Sequence, residues 1–213
     1  MQIRLQQVAP SFLEPARTAG SAVWNQDIAF VPGEKIQIVA PSGTGKTSLI
    51  HFLYGTRRDH NGSVFYGDRD TRKMNTEDVA VYRKNKISIV FQDLRLFGEQ
   101  TVFQNLEVKR QLEPFHQNSK IEEMANRLGF GSRLNRICKT CSYGEQQRIA
   151  IIRSLQQPFE FLLLDEPFSH LDDNNRKLAM HLIEEEADLR KACIILADLK
   201  QTEFYHSEKI LKL

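Results

Sequence analysis

Short apolar runs alternate with longer amphipathic stretches along this chain. Residues 36–39, 87–90, 161–164 and 193–196 are each short and almost wholly apolar. That is the pattern of strands covered on both faces in a parallel sheet. Residues 3–8 and 22–30 predict two N-terminal strands, and Pro32-Gly33 marks a turn before the first buried run. Residues 62–67 predict a short strand bounded by glycines. Helical patterning starts at 49–54, recurs at 78–84, and covers 101–134 with a break at Pro114. Residues 144–155 and 173–189 predict two further helices, with Glu184-Glu185-Glu186 expected on the solvated face of the second. Strands alternating with helices predict an α/β sheet. No repeat or low-complexity linker divides the chain, so 1–213 reads as one domain with a helical insertion at about 92–142.

Composition narrows the class without naming a chemistry. The chain of 213 residues is 41% hydrophobic and 26% charged, with a net charge of +2, as in soluble globular proteins. Basic residues such as Arg57, Arg58, Arg69, Arg72 and Lys73 are scattered rather than interleaved with aromatics, so no nucleic-acid partner is expected. No apolar run approaches the roughly 18 residues of a spanning helix, and the first ten residues lack the apolar core of a secretory signal. A cytoplasmic chain is expected, reaching any membrane through a partner. Cys138 and Cys141 form a C-x-x-C, but no second ligand pair accompanies them, so neither a zinc nor a redox centre is expected. Cys193 reads as core.

The strongest chemical signal runs from Ala40 to Ser48: A-P-S-G-T-G-K-T-S. It follows the apolar run at 36–39 and opens into a helix. A strand, a Gly-rich turn and a helix N-terminus place backbone N–H groups around anionic oxygens. The common pattern is G-x-x-x-x-G-K-[ST]. Ala40 stands at its first glycine, whereas Gly45, Lys46 and Thr47 fit and Gly43 adds a small residue to the turn. Pro41, Ser42, Gly43, Thr44, Gly45, Lys46, Thr47 and Ser48 are thus candidate phosphate-binding residues. Lys46 would reach the β- and γ-phosphates, and the Thr47 hydroxyl would ligate Mg2+.

A second signal closes the run 161–164 with Asp165-Glu166. A buried strand ending in two carboxylates is costly unless they have a partner or a task. Beside a phosphate loop, Asp165 would hold Mg2+ and Glu166 would act as general base toward water. A third signal, K-T-C-S-Y-G-E-Q-Q-R at 139–148, contains Ser142-Tyr143-Gly144-Glu145, a capping box that opens a helix.

Together these segments resemble the ATP-binding cassette (ABC) ATPases, whose signature is usually L-S-G-G-Q followed by Q-R. Ser142, Gly144, Gln146, Gln147 and Arg148 match, while Tyr143 replaces a glycine. Val90-Phe91-Gln92-Asp93 looks like the family's Q-loop, with Gln92 a catalytic-site ligand to Mg2+ and water. Ser169-His170-Leu171-Asp172 looks like the D-loop, with Ser169 and Asp172 as its candidate residues. An adenine-stacking aromatic belongs near the end of the first strand, where Phe12 fits and Trp24 is the rival. The segments 91–97 and 101–106 look most like the lipoprotein-release, macrolide-export and cell-division branch, while 165–169 also looks like importer ATPases.

The resemblance implies a P-loop NTPase fold with a RecA-like, mostly parallel sheet core. An N-terminal antiparallel β subdomain and an inserted α-helical subdomain would complete it. It also implies ATP and Mg2+ as ligands, transmembrane permease subunits as partners, and a second copy or paralogue packed head to tail. In that dimer Ser142, Tyr143, Gly144, Glu145 and Gln146 would face the partner's ATP. The chain would lie at the inner face of the cell membrane through its partners. One departure bears on rate. Asp198 stands where the family places its switch histidine, and a carboxylate repels phosphate unless protonated or bridged by a cation. His206, further on, reads as a surface residue. Two readings follow: the ATP-hydrolysing subunit of an ABC transporter, or an ATP-gated regulatory or assembly module with weak hydrolysis.

Overall fold

The computed structural model describes residues 1–213. Strand β1 (Ile3–Pro10) is followed by the short helix α1 (Pro15–Thr18), then β2 (Asp27–Phe30), β3 (Lys35–Val39) and α2 (Lys46–Leu53). Next come β4 (His60–Tyr66), β5 (Arg69–Asp70), α3 (Thr76–Asn85) and β6 (Ile87–Val90). Helices α4 (Val102–Arg110) and α5 (Ser119–Arg127) form the helical insertion, and Pro114 lies in the break between them. Helix α6 (Tyr143–Ser154), β7 (Phe161–Asp165), α7 (Asp173–Arg190), β8 (Cys193–Asp198) and β9 (Lys209–Lys212) complete the chain.

Two sheets result. An antiparallel sheet has the order β2-β1-β4-β5, and a parallel sheet has the order β6-β7-β8-β3-β9. The four continuous apolar runs became β6, β7, β8 and β3, the strands of the parallel sheet that need cover on both faces. One hydrophobic cluster, with Trp24, Phe30, Phe52 and Phe161, joins the two sheets around α2. A second, with Leu106, Met124, Ile151 and Leu182, unites α4 to α7 over the other face.

Two expectations need correction, and one strand carries no signal in the sequence. Residues 22–26 are a turn, not a strand: the Ser21 hydroxyl accepts from the Val23 and Trp24 N–H groups at 3.1 and 2.9 Å, which turns Trp24 inward. Strand β9 was not foreseen, because K-I-L-K carries too few apolar residues to signal a sheet edge. Glu186 is not solvated. It is 4% exposed and bonds His116 Nε2 at 2.6 Å and Arg190 Nη1 at 2.5 Å.

Candidate nucleotide site at the strand ends

Four adjacent parallel strands deliver the chemistry at their C-terminal ends. Beyond β6 lies Gln92, β7 ends at Asp165, β8 ends at Asp198, and β3 feeds the phosphate loop. Register sets the depth, since Asp165 pairs with Ala197 and Val39 with Asp198. Ligands of α/β sheets bind at this edge because the strand ends open into loops there.

The loop is shaped by two glycines with left-handed backbone, Gly43 at φ 82 and Gly45 at φ 93. A Cβ on Gly45 would meet Trp24 at 3.0 Å, so a side chain there would both push on the indole and strain a left-handed backbone. Trp24 is 1% exposed and its indole N–H donates to the Thr44 carbonyl at 3.0 Å. It braces the loop from beneath and is not available to stack on a base. Phe12, by contrast, is 53% exposed and shares a cavity of about 280 Å3 with Ser42, Lys46, Thr47, Gln92 and Glu166. Pro41, Gly43, Gly45 and Ser48 line the same cavity, and Thr44 accepts the Trp24 bond.

Lys46 is 6% exposed and its ammonium pairs with the Glu166 carboxylate. The Thr47 hydroxyl donates to Gln92 Oε1 at 3.1 Å, tying the start of α2 to the segment after β6. Asp165 is 1% exposed, and neither carboxylate oxygen has a hydrogen-bond partner. Burial pushes its pKa up to about 6, against the opposing pull of the Lys46 ammonium. A buried carboxylate with two orphaned oxygens beside a threonine hydroxyl and an amide oxygen suits a hard divalent cation, so these residues fit Mg2+. Asp198 is likewise raised, first by burial; the Leu199 N–H, which donates to its Oδ1 at 2.7 Å, and Lys46 oppose this, while Glu166 adds to it. Asp198 and Glu166 also border a second cavity of about 770 Å3 with Ser169 and Arg176. His206 is exposed and lies outside both cavities.

The signature residues are not part of either cavity. Ser142 caps α6: its hydroxyl accepts the Glu145 N–H at 3.3 Å, and Glu145 Oε2 accepts the Ser142 N–H at 2.8 Å. Glu145 also pairs with Arg133, and Gln146 donates to the Cys141 carbonyl at 3.0 Å. Tyr143 is 45% exposed, its ring 4.3 Å from that of His170. Gly144 packs so closely on the 169–172 loop that a Cβ would sit 2.9 Å from the His170 carbonyl oxygen. Asp172 caps α7 by accepting the Asn175 N–H at 2.8 Å. Cys138, Cys141 and Cys193 are buried free thiols.

Sequence reasoning missed three basic residues around the site. Arg57 lies 4.9 Å from the Phe12 ring and donates to Ser48 Oγ at 3.0 Å. Arg17 donates to the Gly43 carbonyl at 3.5 Å. Arg153, on α6, holds the Leu94 and Arg95 carbonyls. None sits in a recognisable local pattern; each acts across the fold on backbone or on an aromatic face.

Comparison with known proteins places this geometry. A family model described as "ABC transporter" matches residues 24–169. The macrolide export ATP-binding/permease protein MacB of Shewanella sp. (strain ANA-3) is 28% identical over 194 residues, covering 88% of this chain and 29% of that protein. An uncharacterized ABC transporter ATP-binding protein of Mycobacterium tuberculosis is 30% identical, and 52% of its length is matched. The chain therefore spans less than a third and about half of these two relatives. The lipoprotein-releasing system ATP-binding protein LolD 1 of Chlorobium luteolum is 27% identical, with 97% of this chain and 91% of that protein covered. Among solved structures, the dimeric MJ0796 cassette superposes with a TM-score of 0.81 at 22% identity over 99% of this chain and 94% of that one. A post-hydrolysis state of MJ0796 bound to ADP and Pi gives 0.84 at 21% identity, again over 99% and 94%.

Proposed function

The chain belongs to the ABC transporter family as an ATP-binding cassette, and on that premise we propose that it hydrolyses ATP to energise transport by membrane permease subunits. The observation that carries this reading is the convergence of Lys46, Thr47, Gln92, Asp165 and Glu166 beyond the ends of three strands of one parallel sheet, β3, β6 and β7.

The loop 41–48 and the N-terminus of α2 would receive the phosphates through backbone N–H groups, and Phe12 would stack on adenine. Thr47, Gln92 and Asp165 would hold Mg2+, which neutralises phosphate charge when bound. Lys46 now pairs with Glu166; phosphate oxygens would compete for that ammonium and release the carboxylate. Glu166 then takes a proton from water as the water oxygen bonds to the γ-phosphorus. The bridging P–O bond breaks, and ADP and phosphate leave. Positioning and charge stabilisation supply most of the acceleration in such a reaction.

The signature residues 142–146 line neither cavity of their own chain. This favours a head-to-tail dimer in which Ser142 and Gly144 complete the partner's site. No helix is long and apolar enough to cross a membrane; permease subunits would supply the membrane path, with this chain at the inner face. Resemblance to MacB and LolD 1 favours an export or release system. Asp198 in the switch position supports a second reading, the nucleotide-gated module.

Sedimentation of the Glu166→Gln variant with and without Mg-ATP tests the dimer, which should form only with nucleotide. Co-purification from membranes with a multi-span protein supports the transporter reading. Dimerisation without such a partner favours the module, and no nucleotide-dependent dimer contradicts both.

A further inference from the structure

Gln147 lies on α6, one residue beyond the signature segment, and is 1% exposed. All of its amide groups are engaged with one loop. Its Nε2 donates to the Glu166 carbonyl oxygen at 3.2 Å and to Ser169 Oγ at 3.1 Å, and its Oε1 accepts the His170 N–H at 3.0 Å. The contrast along the same stretch is informative: Gln156 and Gln157 are as deeply buried, yet each leaves its Oε1 without a partner.

The backbone that Gln147 grips is unusual. Glu166 has φ 46, left-handed for a residue with a side chain. Such backbone is strained and persists only where its surroundings over-determine it. Three contacts do so here: the Glu166 N–H donates to the Ala197 carbonyl at 2.9 Å, and the Glu166 carbonyl accepts from Gln147 Nε2 at 3.2 Å and, at a longer 3.4 Å, from the Ser169 N–H. Meanwhile Gly144, one turn earlier on α6, lies against the His170 carbonyl, so helix and loop are in direct register.

We infer that Gln147 is a positioning residue that couples the signature helix to the general base of the same chain. The inference rests on the head-to-tail reading above. In that dimer the first turn of α6 contacts the partner's ATP, while Glu166 faces the chain's own. Movement of α6 on closure is transmitted through the Gln147 amide to the main chain of Glu166. Occupancy of one nucleotide site therefore biases the geometry of the other, as coupling between two sites requires.

The test uses the full chain in the Glu166→Gln background, where hydrolysis is stopped but the main-chain contact to Gln147 remains. Three quantities are read: ATP affinity at protein concentrations too low for dimers, the ATP midpoint and Hill slope of dimerisation, and the melting temperature. Adding Gln147→Met should leave single-site affinity within about two-fold. It should shift the dimerisation midpoint upward by about five-fold or more and lower the slope. Gln147→Glu, which keeps the acceptor for His170 but loses the donors to Glu166 and Ser169, should reproduce the loss. An unchanged midpoint and slope in either folded variant overturns the inference while leaving the dimer intact. A loss of single-site affinity and melting temperature in step with the midpoint also overturns it, assigning Gln147 a purely structural role. If the parent Glu166→Gln chain forms no dimer with ATP, the head-to-tail reading itself has failed.

Discussion

The Arg153 guanidinium donates to the Leu94 carbonyl oxygen at 2.6 Å and, through its other Nη, to that of Arg95 at 2.7 Å. Leu94 and Arg95 both hold left-handed backbone, at φ 57 and 49. The segment just after Gln92 is thus fixed by the same helix that carries the signature. Burial lowers the Arg153 pKa to about 10, so it stays charged at neutral pH. Arg153→Met should cost about 2–3 kcal/mol in urea unfolding and lower turnover by loosening Gln92. Arg153→Lys should recover only part, because an ammonium cannot fork across two carbonyls.

The Glu186 cluster predicts an acid-side stability loss. Burial raises the Glu186 pKa, but hydrogen bonds from His116 and Arg190 outweigh it, and the net shift is below the ordinary value of 4.5. A depressed carboxylate stabilises the fold above its unfolded pKa, and that contribution is lost as pH falls through the folded value. Below pH 4.5 the native chain should lose stability more steeply than Glu186→Gln. At pH 7 that variant should be less stable by about 3 kcal/mol, because it strands the buried Arg190 charge. Denaturant unfolding across pH reads both effects.

Phe12 and Trp24 should separate cleanly. Phe12→Ala is expected to weaken ATP binding by about 1–2 kcal/mol, as loss of a base-stacking aromatic does, with little change in melting temperature because the ring is 53% exposed. Trp24→Ala should instead lower the melting temperature, since it opens a buried void and frees the Thr44 carbonyl. Equal effects on affinity and stability at Phe12 would contradict its assignment.

Asp198 predicts a brake on hydrolysis. It ends β8 beside Asp165 and Glu166, adding carboxylate where negative charge develops. Asp198→His should raise phosphate release by about ten-fold or more, the scale of a single transition-state donor. Unchanged turnover would show that Asp198 does not limit the reaction.

The chemistry was legible in the sequence wherever it lies in one short segment. The loop 40–48 needs a strand, a turn and a helix in immediate succession, and these segments supplied them. Asp165 stood out because two acids close a continuous apolar run. Residues that act at long range left no such trace: Arg153 and Arg57 bond backbone or rings brought close only by folding, and Gln147, although it matches the signature pattern, meets the 166–170 loop only in the fold. Trp24 was read within a strand because a hydroxyl-capped turn at Ser21 has no apolar period. Glu186 looked solvated because His116, 70 residues away in sequence, reaches it only through the fold, and Arg190 at i+4 on α7 signals a surface pair unless that packing is known.

Mg-ATP turnover by the purified chain, beside Lys46→Ala and Glu166→Gln, tests the central claim most directly. Slow phosphate release that disappears in both variants is the expected result, with ATP still binding to Glu166→Gln. Turnover that survives Glu166→Gln, or ATP binding undiminished by Lys46→Ala, would contradict the assignment of the site.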